Sequence, residues 1–416
     1  MVTVKAFRAL RPVEDSIFAV NSPPYDVVSQ VEAAEILKEN PDSFLKVIKP
    51  EASISCLKNL NYQQLAEIAA ENLRDMIKRK VMLLEPNPCF YIYQQENKSY
   101  QRTGIVACLS TEDYQRGAIK QHEKIRIETW QERVKHIQIT RAHTGCALIV
   151  YQGNSHIEEI IQKEKVKKNL IYDFVSDDSI RNYCWKVNQD YVITSLQNAF
   201  QEIPSFYIAD GHHRVAAAAE VARIESKEQQ LTKGTDKQYA YFPAVLVPHY
   251  QIRILGYHRL IKDLQRFSPN WFLNQLKKNF QVEKITVNQP FLPSQKYEFG
   301  MKLASHWYRL SVKQNNIIES QSVVDRLDVS ILQNQILEPL LGIKDPQKSK
   351  KIEFIGGKDA TLQLTNKTRR GNNIAFTLYP TSMDEVIAVS DNNEIMPPKS
   401  TWFEPKIRSG IFVHQF

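Results

Sequence analysis

Six consecutive residues, Ala209-Asp210-Gly211-His212-His213-Arg214, gather a carboxylate, two imidazoles and a guanidinium around one glycine. The chemistry open to such a set is the capture of an anion. Before it, Ser205–Ala209 is a short β-prone run; after it, His212–Ala222 has the alanine-rich composition of a helix that must lie close to a neighbour. The unit therefore reads strand, tight turn, helix. Asp210 is expected to cap the helix, and Gly211 to permit a backbone angle or a close approach that a side chain would forbid. The first turn of a helix carries amides without intrahelical partners and the positive end of the dipole. Together with the fork of Arg214 it suits a phosphate or carboxylate. Successive helical side chains point about 100° apart, so one of His212 and His213 is expected to meet a ligand and the other to hold the turn. A capped helix whose polar residues satisfy only their own backbone is the plainer alternative.

Three further stretches carry candidate chemistry. In Ile119–Arg126, His122 and Glu123 are adjacent, as a general acid and base often are, and Lys124, Arg126, Arg133 and Lys135 make the neighbourhood basic. Glu132 and His136 share a face of the helix expected over Glu128–Ile139. This is not the H-E-x-x-H of a zinc protease, because Arg126 stands where the second histidine would fall. In Ser22–Ser29, Pro23 and Pro24 stiffen an approach that presents Tyr25 and Asp26, and Ser29 with Glu32 forms a capping box for a helix running to about Lys38. The tail Met396–Gly410 is stiffened by Pro397, Pro398 and Pro405 and rich in donors; Lys399, Ser400 and Thr401 could reach an anion. Each of these has a bland counterpart: a solvated helix start, a stiff loop, and an end docked for stability.

The elements that must position these residues follow from periodicity. Val2–Leu10 suits a first strand, Asn61–Leu84 an amphipathic helix, and Phe90–Gln94 with Arg102–Leu109 a pair of strands. Ala147–Tyr151 and Tyr241–Val247 read as buried strands, and Gln189–Phe200 as the helix leading into the central turn. The polar stretch Glu225–Gln238 is expected to be a surface loop. Composition shifts from Phe267, after which Asn270–Phe280 reads as a helix and Leu327–Leu341 as a buried helix stopped by Gly342. The glycine pair at Gly356-Gly357 reads as a plain turn. The expectation is a mixed α/β (α+β) fold, with the turn at a strand's carboxyl end. Residues 1–262 form a domain carrying the PPYD, HEK and DGHHR stretches, and residues 263–416 a C-terminal α/β domain whose tail closes on the core.

Composition narrows the function classes. The net charge of +8 over 416 residues is spread along the chain, and neither a concentrated basic stripe nor a helix-turn-helix pattern points to nucleic acid. The five cysteines are far apart and form no C-x-x-C pair, so neither a zinc ribbon nor a disulfide framework is indicated. No apolar run approaches the roughly 18 residues of a membrane span, and the first residues lack a signal peptide's apolar core. A cytoplasmic protein with a small-molecule substrate and no membrane partner is expected; the oligomeric state stays open.

The blocks SPPYDVVS, NPDSFLKVIKPE, ADGHHR and MPPKSTWFEPKIRSG together resemble a bacterial and archaeal family known mainly as a domain of unknown function, and they span nearly the whole chain. The DGHHR turn separately resembles the phosphate-binding turn of the ParB and sulfiredoxin-like fold, which includes nucleotide-dependent kinases acting on free serine. That resemblance implies a ParB/sulfiredoxin-like core around the turn and phosphoryl transfer from ATP or ADP, with Mg²⁺, to a small hydroxylated metabolite such as L-serine. Gly211 and the first-turn amides would cradle phosphate and Arg214 would stabilise developing charge. Asp210 or Glu123 would take the hydroxyl proton or hold Mg²⁺, His212 or His213 would orient the phosphate, and Tyr25 and Asp26 would hold the amino-acid end. In the family pattern the counterpart of Ile125 is threonine and that of Glu132 aspartate, so Ile125 lacks a hydroxyl found in its relatives. A phosphoserine phosphatase, or a non-enzymatic ParB-like nucleotide or nucleic-acid binding module, is the alternative.

Overall fold

The computed structural model describes residues 1–54, 60–232, 237–262, 268–286, 289–314, 322–368 and 373–416. Cys56 and the compositional shift at Phe267 lie outside the described residues. The fold is mixed α/β, and the chain separates into two compact units. The first comprises Met1–Gln121, Ile125–Ile252 and Pro405–Phe416; the second comprises Arg253–Glu404 with the three residues His122–Lys124. No helix among the described residues is long and apolar enough to cross a membrane.

The first unit is built on a nine-stranded mixed sheet. Its order runs Ile119–Lys120, Phe206–Asp210, Ala147–Tyr151, Tyr241–Pro248, Tyr100–Ser110, Phe90–Asn97, Arg181–Val187, Leu170–Val175, with Val4–Lys5 also paired to Tyr100–Ser110. The strand ending in Asp210 runs parallel to Ile119–Lys120 and antiparallel to Ala147–Tyr151, with Tyr207 opposite Val150 and Asp210 opposite Leu148. Alternate apolar residues such as Ile92, Ile105, Ile149, Ile208 and Leu246 fill one face of the sheet as a single core. A second, four-stranded sheet joins Met82–Leu84, Ala9–Pro12, Val413–Gln415 and Ala142–His143. The expected strand Val2–Leu10 is thus two strands in different sheets, because the chain leaves one sheet after Lys5 and joins the other at Ala9.

The helix after the turn, His212–Thr232, shows why its sequence is rich in alanine. Val215 and Ala218 pack into the sheet's core, while Ala217 and Val221 meet Val134 and Ile137 of the helix Ile127–Thr140. Small side chains let a helix lie between two neighbours at close range. The helix also absorbs most of the polar stretch from Glu225 that reads as a loop in the sequence. Glu225 is buried against Arg141 in an ion pair, and a paired carboxylate can be accommodated inside a helix as readily as on a surface.

The second unit holds a six-stranded sheet ordered Phe280–Ile285, His306–Val312, Glu298–Leu303, Ile374–Leu378, His258–Ile261, Ile352–Ile355. A two-stranded ribbon pairs Arg253–Leu255 with Trp402–Glu404. The apolar segment expected as one helix over Leu327–Leu341 is helical at Asp328–Leu332 and Glu338–Leu341, with a π-turn at Gln333–Leu337 between them, and Gly342 ends it with φ +67°.

Candidate functional site

The strand–turn–helix reading holds, with one correction at its centre. The first helical bond runs from the Val215 amide to the Gly211 carbonyl at 3.0 Å, so Gly211 occupies the cap position. Asp210, expected as the cap, is instead the last residue of the strand. Gly211 has φ +96°, and a Cβ there would also meet the Arg214 guanidinium at 3.0 to 3.1 Å. Both roles foreseen for a glycine, the left-handed angle and the close approach, fall on the same residue.

Arg214 folds back across this turn. One terminal nitrogen donates to the carboxylate of Asp210 at 3.0 Å and the other to the backbone carbonyl of Cys146. The second oxygen of Asp210 accepts from Lys406 Nζ at 3.2 Å. Burial would raise the Asp210 pKa, but Lys406 and then Arg214 outweigh it and hold the carboxyl well below its usual range. Lys406 and Arg214 are held in their charged forms against burial by Asp210 and, next, by Asp26. The turn is therefore a cation pair sharing the chain's own carboxylate, and not the unopposed cationic seat that the sequence suggests.

The PPYD stretch adjoins it. The Pro24 carbonyl accepts from the Val27 amide at 3.2 Å, forming a turn that exposes Asp26 and leaves Tyr25 half-buried with the Arg133 guanidinium 4.3 Å above its ring. Burial raises the Tyr25 pKa, and Arg133 opposes that shift. Ser22 and Ser409 exchange backbone bonds at 3.1 and 2.8 Å, and Arg408 donates to Asn21 Oδ1 at 3.1 Å, so the approach to PPYD is tied to the segment that carries Lys406. A cavity of about 30 Å³, the size of two or so waters, lies beside Tyr25, Arg133, His136, His143 and Arg214. Arg133 Nε and His143 Nε2 are buried without a hydrogen-bond partner among the described residues.

The other candidates fall as follows. His212 is buried, while His213 Nε2 accepts from the Arg126 amide at 2.9 Å and so anchors the chain just past the HEK stretch. His122 and the half-buried Glu123 belong to the second unit, as do Lys399, Ser400 and Thr401. Within that unit Thr401 Oγ1 lies 3.5 Å from His122 Nε2. Ser400 is buried and donates to the Pro397 carbonyl at 2.6 Å, so its hydroxyl serves its own turn. Lys399 is exposed, with Nζ 5.6 Å from the centre of the Tyr257 ring. The structure thus joins Tyr25 and Asp26 to Asp210, Gly211 and Arg214, and separately joins His122 to Thr401.

Magnesium does not fit the residues offered for it. No group of three or more His, Cys, Asp or Glu side chains that could hold an ion occurs among the described residues, and both oxygens of Asp210 are engaged by cations. Two residues at the turn escape assignment in the sequence. Lys406 is one of several tail donors without matching acids, and Arg133 is one of several bases after HEK. Only that excess of unmatched positive charge hints at either. The cysteines Cys89, Cys108, Cys146 and Cys184 are buried free thiols, with Cys146 pushed up to about 12 by burial, which suits packing and not nucleophilic chemistry.

Comparison with curated proteins finds no match. Among solved structures, similarity extends to a conserved hypothetical protein from Pyrococcus furiosus, with 12% identity and a TM-score of 0.35 over 74% of this chain and 94% of that one. A free serine kinase in complex with AMP shows 12% identity and a TM-score of 0.35 over 72% and 86%. SbnI with a C-terminal truncation from Staphylococcus aureus shows 11% identity and a TM-score of 0.36 over 72% and 82%. A family model described as "Protein of unknown function (DUF1015)" matches residues 4–330, and the chain belongs to that family.

Proposed function

We infer that this chain transfers a phosphoryl group from ATP or ADP to a small hydroxylated metabolite, with free L-serine or a close relative as the acceptor. The observation that carries the reading is the convergence of Arg214 and Lys406 on one carboxylate at the start of the helix His212–Thr232, with Tyr25 and Asp26 alongside. A phosphate reaching this turn can take the place of the Asp210 carboxylate on Arg214 and Lys406. It would exchange one charge-assisted set of bonds for another while the helix dipole adds its share. In the transfer, the acceptor oxygen forms a bond to the terminal phosphorus, the bond from that phosphorus to the bridging oxygen breaks, and the shortened nucleotide leaves with the electron pair. Arg214 and Lys406 face the charge that builds up on the phosphoryl oxygens.

The acceptor's proton needs a base. A carboxyl held as far down as Asp210 is a weak base, so Asp210 serves better as the group that holds the two cations, and the exposed carboxylate of Asp26, in the same unit, is left to take the proton. Magnesium would arrive on the nucleotide's phosphates, since the described residues hold no group of three or more ligands for it.

The test is incubation of the purified chain with ATP or ADP, Mg²⁺ and a panel of serine analogues, with phosphorylated product read by mass spectrometry. Phosphoserine is expected, reduced roughly 10²- to 10³-fold in Arg214→Ala, the range for removing one charge-stabilising donor. Absence of product with every nucleotide and acceptor overturns the reading. Phosphate release from phosphoserine without nucleotide replaces it with a phosphatase.

A further inference from the structure

The second unit keeps a buried guanidinium that no carboxylate answers among the described residues. Arg259, in the strand His258–Ile261, is only 3% exposed. Its terminal nitrogens donate to four backbone carbonyls instead. One reaches Tyr257 at 2.8 Å and His258 at 3.4 Å; the other reaches Pro398 at 3.4 Å and Lys399 at 3.0 Å. The guanidinium carbon sits 4.5 Å from the centre of the Phe354 ring. Removing such a cation from water without an anion is unfavourable, and burial lowers its pKa to about 9. An arrangement this unfavourable persists where it fixes something else.

What it grips is the turn through Pro398 and Lys399. Lys399 adopts φ +59°, a left-handed angle uncommon for a residue with a side chain. The turn is closed by Ser400 donating to the Pro397 carbonyl, and Thr381 donates to the Ser400 carbonyl at 3.1 Å. On both sides of this turn the same segment brackets His122. The Met396 amide donates to the His122 carbonyl at 2.9 Å, Thr401 Oγ1 faces its ring nitrogen, and the Phe403 ring lies 6.1 Å from its ring centre.

We propose that Arg259 is a positioning residue: by holding the carbonyls of Pro398 and Lys399 it sets the register of residues 396–403, and through them the orientation of His122 and of Glu123 beside it. A packing role alone would need no cation at this place, since an apolar chain of similar volume would fill it without the desolvation cost. A lysine could supply the charge and one bond, yet it lacks the planar fork that spans two pairs of carbonyls. The proposal concerns the second unit alone and does not rest on the phosphoryl-transfer reading.

The test uses the full chain and the nitrogen-15 ring signals of its histidines, with His122 assigned by His122→Asn. In Arg259→Gln the His122 signals are expected to shift and broaden while those of His136 and His143 in the first unit stay in place. Arg259→Lys should restore them in part. Thr401→Val, which leaves the guanidinium intact, should move the same His122 signals, so the proposal stays open to refutation even if Arg259→Gln fails to fold. His122 signals unchanged in Arg259→Lys or in Thr401→Val overturn the proposal. A wild-type chain that transfers no phosphoryl group overturns the functional reading alone, and the ring signals still decide this one.

Discussion

At the scale of single residues, the decisive group is Asp210. Two cations meet its two oxygens, and removing the carboxylate would leave Arg214 and Lys406 facing one another at a largely buried position. Asp210→Asn is expected to cost about 3 kcal/mol at neutral pH, the range for breaking a buried pair from one side, as read by urea unfolding. The pH dependence has a definite sign. A carboxyl whose pKa is lowered on folding contributes stability above its unfolded value of about 4 and loses it as pH falls toward the depressed folded value. The difference in stability between wild type and Asp210→Asn should therefore be constant above about pH 5 and shrink below pH 4. The sequence displayed Asp210 and Arg214 four residues apart, the spacing of one helical turn. It did not display Lys406, which lies 196 positions away and reaches Asp210 only through the fold.

At the scale of elements, the turn depends on Gly211. An alanine there would combine a left-handed backbone with a Cβ 3.0 Å from the Arg214 guanidinium. Gly211→Ala is expected to cost about 1–3 kcal/mol and to weaken any ligand of Arg214, since the side chain must move to admit the methyl. A thermal melt read alongside ligand binding checks both. Local signals were reliable for the neighbouring elements where the chemistry is local. Ser29 and Glu32 form the capping box foreseen, and the strands Phe90–Asn97 and Tyr100–Ser110 pair as expected, each running beyond the bounds read from its sequence. They failed where tertiary packing decides: Glu225 reads as the start of a loop, and the buried contact with Arg141 keeps it helical. The Asp210 cap was plausible by residue type, yet the strand continues one residue further than its apolar run and passes the cap position to Gly211.

At the scale of the whole molecule, the ends of the chain matter more than their position suggests. The strand Val413–Gln415 sits between Ala9–Pro12 and Ala142–His143, and Ile411, Phe412 and Val413 are buried in the same unit. Deleting residues 405–416 would remove a central strand and Lys406 together. It should lower the melting temperature by more than any single substitution at the turn, and it should abolish phosphate binding even at temperatures where the truncated chain stays folded. The sequence marked the tail as rigid, aromatic and cationic, but it could not say that Pro405 onward belongs with the first unit while Lys399–Thr401 belongs with the second. That division follows from contacts between residues hundreds of positions apart, which periodicity cannot report.

The central claim is that residues 210–214 with Lys406 form a phosphate site. Its most direct test is calorimetric titration of ADP with Mg²⁺ into the wild-type chain and into Arg214→Ala and Lys406→Met. Measurable binding by the wild type and a loss of at least about tenfold in each variant is the predicted result, since a charge-assisted bond contributes roughly 1.5–3 kcal/mol. Equal affinity in all three chains, or no binding by any, would contradict it.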